Sequence, residues 1–99
     1  MTVVNLGEVF YRTVREHGIE GGASAMARIQ RFPIELVEID QKLALAAATL
    51  KADSGFGYAD CFVVACAQSR RAIVVTGDPD FQKVEDLIAI EWLPSAQSL

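Results

Sequence analysis

Along residues 5–17, NLGEVFYRTVREH, the positions Leu6, Val9, Phe10, Thr13, Val14 and His17 recur at the three- and four-residue spacing that collects them on one face of a helix, and Gly18 is its stop. Asn5 reads as the cap of that helix, with Glu8 three residues behind it. A second helix is predicted over residues 20–31, closed by Pro33 and weakened in its first turn by Gly21 and Gly22. Residues 34–40, IELVEID, place Ile34, Leu36, Val37 and Ile39 among acids and read as a strand. Asp40 then caps an Ala/Leu-rich helix reaching residue 52, and DSGFG follows as a loop. The helix expected over 58–70 is apolar almost all round, which implies deep burial. AIVVT, residues 72–76, is a short unbroken apolar run of the kind that strands covered on both faces show. DPDFQKVEDL gives a short helix with Pro79 at its first position, AIEWL a last strand over 89–93, and residues 94–99 a polar tail.

Strands alternating with helices predict an α/β fold with a parallel sheet of three or four strands. The 99 residues suffice for a single domain. With 52% hydrophobic residues and 22% charged the chain is globular, and so apolar for its size that part of its surface is expected to be covered by a second copy. No apolar run approaches the roughly 20 residues needed to span a bilayer, and the N-terminus lacks the pattern of a secretory signal. Cytoplasm is the expected location. Cys61 and Cys66, five apart on a helix, are separated by a rise of about 7.5 Å and are expected to be reduced. The net charge of -4 excludes non-specific binding of nucleic acid by overall charge; a local basic patch or a bridging metal ion would be required.

In a parallel α/β sheet ligands bind outside the carboxyl ends of the strands, where helix N-termini also open. Asp78 follows the strand at 72–76, and Asp60 opens the helix leading into that strand, so the two can share one rim. Each also has an ordinary explanation. Asp78 before Pro79 is a good helix cap, and Asp60 complements the helix dipole. Glu8 completes a capping box with Asn5 or pairs with Arg12, and Asp80 is first-turn charge. Carboxylates gathered at one rim would repel one another without a cation, and hard oxygen donors suit magnesium or manganese, which activate water and clamp phosphate oxygens. Phosphate-loop and dinucleotide patterns are missing, and the lone His17 leaves little room for a catalytic triad.

NLGEVFYR, YADCFVVACA, and AIVVTGDPDF followed by IEWL resemble, in order and spacing, the PIN-domain ribonucleases, especially the VapC-type toxins of bacterial and archaeal toxin–antitoxin pairs. The resemblance covers nearly the whole chain. It implies one PIN-like domain over residues 1–99, a parallel sheet flanked by helices, and a quartet of acids around Mg2+ or Mn2+. It further implies RNA as substrate, a homodimer, and inhibition by a small antitoxin protein. Carried over by position, Glu8 is the helix glutamate of that quartet, Asp60 the aspartate of YAD, and Asp78 the aspartate after the last-but-one strand. Asp80 and Thr76 match neighbouring polar positions that hold waters or orient ligands.

One departure stands out. The resemblance implies a strand ending in an aspartate at the start of the family's domain, and about 30 residues carrying that strand and acid are expected to be missing ahead of Met1. An N-terminally truncated sheet would expose unpaired backbone and an apolar gap, which dimerisation or segment swapping would close. A site of three acids would also hold a divalent ion less firmly than one of four. Three readings stay open: a metal-dependent ribonuclease; a catalytically degenerate PIN-like module that dimerises or binds an antitoxin; and a start codon upstream of Met1. Arg12 and Lys83 could meet phosphate in the first reading, although both are ordinary helix-surface residues.

Overall fold

The structure, a computed structural model, describes residues 1–94. These residues gather into two compact units, Met1–Asp40 and the chain from Gln41 onward.

The first unit is built on α1, Val3–Ile29, which is interrupted at Gly18 (φ 75°, ψ 178°). That backbone conformation is open to glycine and to almost nothing else, so the expected helix stop is there, and α1 is two helical arms joined by a kink at Gly18. The second arm folds back on the first: a methyl group at position 22 would lie 2.5 Å from Val14 Cγ2 and 3.2 Å from Phe10 Cε1. In a straight helix positions 14 and 22 would be about 12 Å apart along the axis. Gly22 is buried in this seam, so the glycine pair expected to weaken a helix start is what lets two helices touch.

The cap of α1 lies upstream of its expected position. Thr2, extended and almost fully buried, accepts the Asn5 N–H at 3.2 Å through its hydroxyl, which fills one of the donors left open at a helix start. The cap expected at Asn5 is therefore supplied by Thr2, whose hydroxyl also donates to Asn5 Oδ1. His17, expected on the apolar face, is exposed, with its Nε2 3.8 Å from the exposed Glu16 carboxylate.

The strand expected over 34–40 does not form. One parallel bridge, Thr2 to Val37, replaces it, with Val37 N–H donating to Met1 O at 2.8 Å and Val3 N–H to Val37 O at 3.0 Å. The physical reason lies in the partner: from Val3 onward the chain turns helical, so the ladder has nothing to extend along.

In the second unit α2, Gln41–Asp53, packs along α3, Tyr58–Arg70, and α3 packs on β1, Val74–Thr76. A 3-10 turn, Pro79–Val84, leads to β2, Ile90–Trp92, which pairs parallel with β1 in the register Val74 to Ile90 and Thr76 to Trp92. The core is Leu43 and Ala47 of α2, Cys61, Phe62, Val64, Ala65 and Ala67 of α3, Val74, and Phe56, Phe81 and Val84. Phe56 and Phe81 meet edge to face at 5.0 Å. α3 ends in a Schellman motif: Ala72 N–H reaches Ala67 O at 2.9 Å and Arg71 N–H reaches Gln68 O at 3.4 Å, with Arg71 itself left-handed at φ 52°.

Two expectations need correcting here. The run 72–76 is not covered on both faces: Val74 is buried under α3, whereas Ile73 and Val75 are 65% and 60% exposed. Successive strand side chains point to opposite sides, and the single layer of helix shields one of them. The sheet of the described residues has two strands of three residues each, rather than three or four strands.

Candidate functional site

The carboxyl end of β1 is a loop tied by its own side chains. Thr76, the last strand residue, accepts the Asp78 N–H at 3.1 Å through Oγ1, and Asp78 Oδ1 accepts the Asp80 N–H at 2.9 Å. These two side-chain turns orient residues 76–80 and start the 3-10 helix, with Pro79 in its first turn. The backbone is anchored from the other strand, where Leu93 N–H donates to Thr76 O at 2.9 Å. Asp78 therefore is a cap, as its ordinary explanation holds, but capping uses one oxygen only. Oδ2 takes no partner among the described residues, and the side chain is exposed. Asp80 is exposed as well.

Asp60 sits in the first turn of α3, half-buried. Its carboxylate turns back toward the helix start, since a methyl group at Gly57 would lie 3.5 Å from Asp60 Oδ2. Gly57 supplies no side-chain cap, and a negative charge at that end meets the positive pole of the helix dipole. Next to it, burial pushes the Cys61 thiol up from its ordinary value; Lys51 opposes this and the Asp60 charge adds to it. Cys61 and Cys66 are both free thiols, as the spacing requires.

Glu8 belongs to the first unit, where it is half-buried on α1 with Arg12 one turn further on. Thr76, Asp78, Asp80 and Asp60 belong to the second. Among the described residues no three His, Cys, Asp or Glu side chains form a group able to hold a metal ion. The donor chemistry nonetheless suits a hard cation: magnesium characteristically keeps several waters and binds through one or two carboxylates, with substrate phosphates completing the shell. The second oxygen of Asp78, which takes no partner among the described residues, is a donor of that kind. A mostly apolar cleft of about 290 Å³ in this unit is lined by Leu50, Phe56, Cys61, Val64, Val84 and Leu87 together with Asp53, Ser54 and Lys83, and none of the candidate acids lines it.

The residues that spacing arguments passed over are on α1. Tyr11 is 46% exposed, and the Arg15 guanidinium carbon stands 5.2 Å from the centre of its ring. The signal was present in the sequence: residues 8, 11, 12 and 15 share one helix face.

The model of the PIN domain matches residues 1–87. The chain belongs to the PIN-domain family. Among solved structures it is similar to the crystal structure of DNA-bound VapBC from Salmonella typhimurium, with a TM-score of 0.69 and 23% identity over 91% of this chain and 71% of that one. At that identity the likeness is one of fold, and it establishes a PIN-like fold here. No curated protein sequence matches the chain. No helix of the described residues is long and apolar enough to cross a membrane. Asp78 follows the strand Val74–Thr76 and Asp60 lies in the first turn of the helix that precedes it, as expected from the sequence.

Proposed function

We propose that this PIN-domain chain is a metal-dependent ribonuclease, the toxin of a toxin–antitoxin pair, acting in the cytoplasm as one functional domain and as a homodimer. Glu8, Asp60 and Asp78 are its ligating carboxylates for Mg2+ or Mn2+, Asp80 assists, and Thr76 orients the loop. The observation that carries the proposal is the Thr76–Asp78–Asp80 hydrogen-bonded turn just past the carboxyl end of β1, which spends one oxygen of the exposed Asp78 on structure and leaves the other without a partner among the described residues. The fold likeness to VapBC supports an antitoxin as the protein partner.

Each residue has a distinct task. The Asp80 N–H fixes the rotation of the Asp78 carboxylate, so its second oxygen is oriented before any ligand arrives and no side-chain ordering is needed on binding. Asp60, in the first turn of α3, sets its negative charge at the positive pole of the helix dipole. Glu8, on a helix face with Arg12 one turn away, accepts a proton from the attacking water or orients that water toward the scissile phosphate. A bound divalent ion supplies charge neutralisation at the phosphate oxygens and acidifies a coordinated water.

A second reading has its own support. The lack of a ready-made trio of ligands among the described residues favours an interaction module that keeps the fold without the chemistry. Cleavage of single-stranded RNA by purified protein with Mn2+ separates the two. Cleavage that vanishes in both Asp60→Asn and Asp78→Asn supports the nuclease, and an inert wild-type protein at every metal concentration supports the module.

A further inference from the structure

The first arm of α1 has two opposed faces. With successive residues turned by about 100°, Leu6, Val9, Phe10, Thr13 and Val14 fall on one side, the side whose Phe10 and Val14 meet the second arm at Gly22. Glu8, Tyr11, Arg12 and Arg15 fall within an arc of about 100° on the other. On that outer face Tyr11, Arg12 and Arg15 are exposed, and the Arg15 guanidinium lies over the Tyr11 ring at 5.2 Å. A phenol ring left in water with a guanidinium laid across it serves no core. It is also a local reversal of charge in a chain whose net charge is -4.

Those two features together are what single-stranded nucleic acid seeks: a flat π surface on which any unpaired base can stack, and fixed positive charge along the phosphates. Arginine is suited to this role because its planar guanidinium stacks while it keeps its charge. A base inside a duplex is already stacked on its neighbours and cannot reach such a platform. Resting on the ribonuclease reading above, we propose that Tyr11 and Arg15 form a stacking platform for an unpaired base of the RNA, with Arg12 against a neighbouring phosphate. The platform begins about one helical turn from Glu8, at Tyr11, and reaches a second turn at Arg15, so a base held there sets which phosphodiester is presented and restricts the substrate to single-stranded segments.

The test is binding of a short fluorescent single-stranded RNA to the full chain in EDTA, where metal-dependent cleavage is off, with the matching duplex as comparison. The wild type is expected to prefer the single strand. Tyr11→Ala should weaken single-strand binding about tenfold, within what one stacked base supplies, while Tyr11→Phe, which keeps the π face, stays near wild type. Arg15→Lys, which keeps charge but loses the plane, should fall between wild type and Arg15→Ala. All four side-chain changes are on an exposed face, and circular dichroism checks that the variants stay folded. Equal affinity of Tyr11→Ala and wild type, equal affinity for duplex and single strand, or no RNA binding at all would each overturn the platform. So would loss of antitoxin binding, rather than RNA binding, in Tyr11→Ala, which would make this face a protein interface. The two proposals fail separately: Tyr11-dependent binding without cleavage removes the nuclease and keeps the platform, and cleavage with a KM indifferent to Tyr11→Ala does the reverse.

Discussion

Replacing a glycine by alanine should have opposite effects at two positions of the same helix, α1. At Gly7 an added methyl meets no atom within 4 Å, so the change only removes backbone freedom from the unfolded chain and improves helix propensity, a gain of about 1 kcal/mol. At Gly22 the same gain is available, but the methyl would sit 2.5 Å from Val14 Cγ2 and 3.2 Å from Phe10 Cε1. Carbon atoms pack at about 3.5–4.0 Å, so the arms must separate by roughly 1 Å. The β-branched Val14 has little rotameric freedom in a helix with which to yield. Overpacking of this kind costs about 1–3 kcal/mol, which outweighs the propensity gain and leaves Gly22→Ala destabilised by about 1 kcal/mol. The two variants should therefore differ by about 2 kcal/mol. In urea, with a slope near 1–3 kcal/mol/M for a small domain, that is a separation of about 1 M in midpoint, read from helical circular dichroism. Gly18→Ala, with open space around it but φ 75°, should lose about 1–3 kcal/mol through backbone strain alone. If Gly7→Ala and Gly22→Ala shift the midpoint by the same amount in the same direction, the arms of α1 do not pack against each other and the account of the first unit is wrong.

Asp78 offers a way to divide capping from ligation. Asparagine caps as well as aspartate, so Asp78→Asn should keep its melting temperature and lose Mn2+-dependent cleavage, whereas Asp78→Ala should lose cleavage and also about 1 kcal/mol of stability. Should Asn cost as much stability as Ala, the Asp80 N–H contact is not a cap. Arg71→Gly should stabilise the chain by about 1 kcal/mol in thermal melts, because Arg71 holds a left-handed conformation at φ 52° that glycine adopts without a Cβ penalty; a lower midpoint would show that its side chain contributes more than its backbone costs. Sedimentation at micromolar concentration should give a dimer that Val75→Lys weakens, since Val75 and Ile73 leave one side of the sheet apolar and open. A well-folded monomer at every concentration would contradict that expectation.

What was legible in the sequence depended on how local the cause was. The helix over Tyr58–Arg70 ran as expected because its signals, an apolar run after Gly57 and a basic end, lie within the segment. Pro79 behind Asp78 marked a helix start correctly, although the short turn closed as a 3-10 helix. Residues 34–40 misled because a strand is made by its partner, and the partner here is the few residues before α1. The apolar run before Thr76 suggested two covered faces, yet composition cannot say how many layers lie over a strand, and one did. Gly21 and Gly22 looked like poor helix formers, and only the fold-back at Gly18 gives Gly22 its use. For the candidate site, the placement of Asp60 in the first turn of its helix and of Thr76, Asp78 and Asp80 at the end of the strand was readable from motif spacing. That Asp78 commits only one of its oxygens to the cap was not, since it turns on a single hydrogen bond.

The most direct test of the metal-binding claim is titration of the isotopically labelled protein with Mn2+, whose unpaired electrons broaden the amide resonances nearest the bound ion. Early and together, the signals around residues 8, 58–61 and 76–80 should disappear, Mg2+ should restore them by competition, and Asp78→Asn should spare all three sets at the same Mn2+ concentration. Broadening spread evenly over the acidic surface, or confined to places remote from Asp60 and Asp78, would mean that these carboxylates gather no ion.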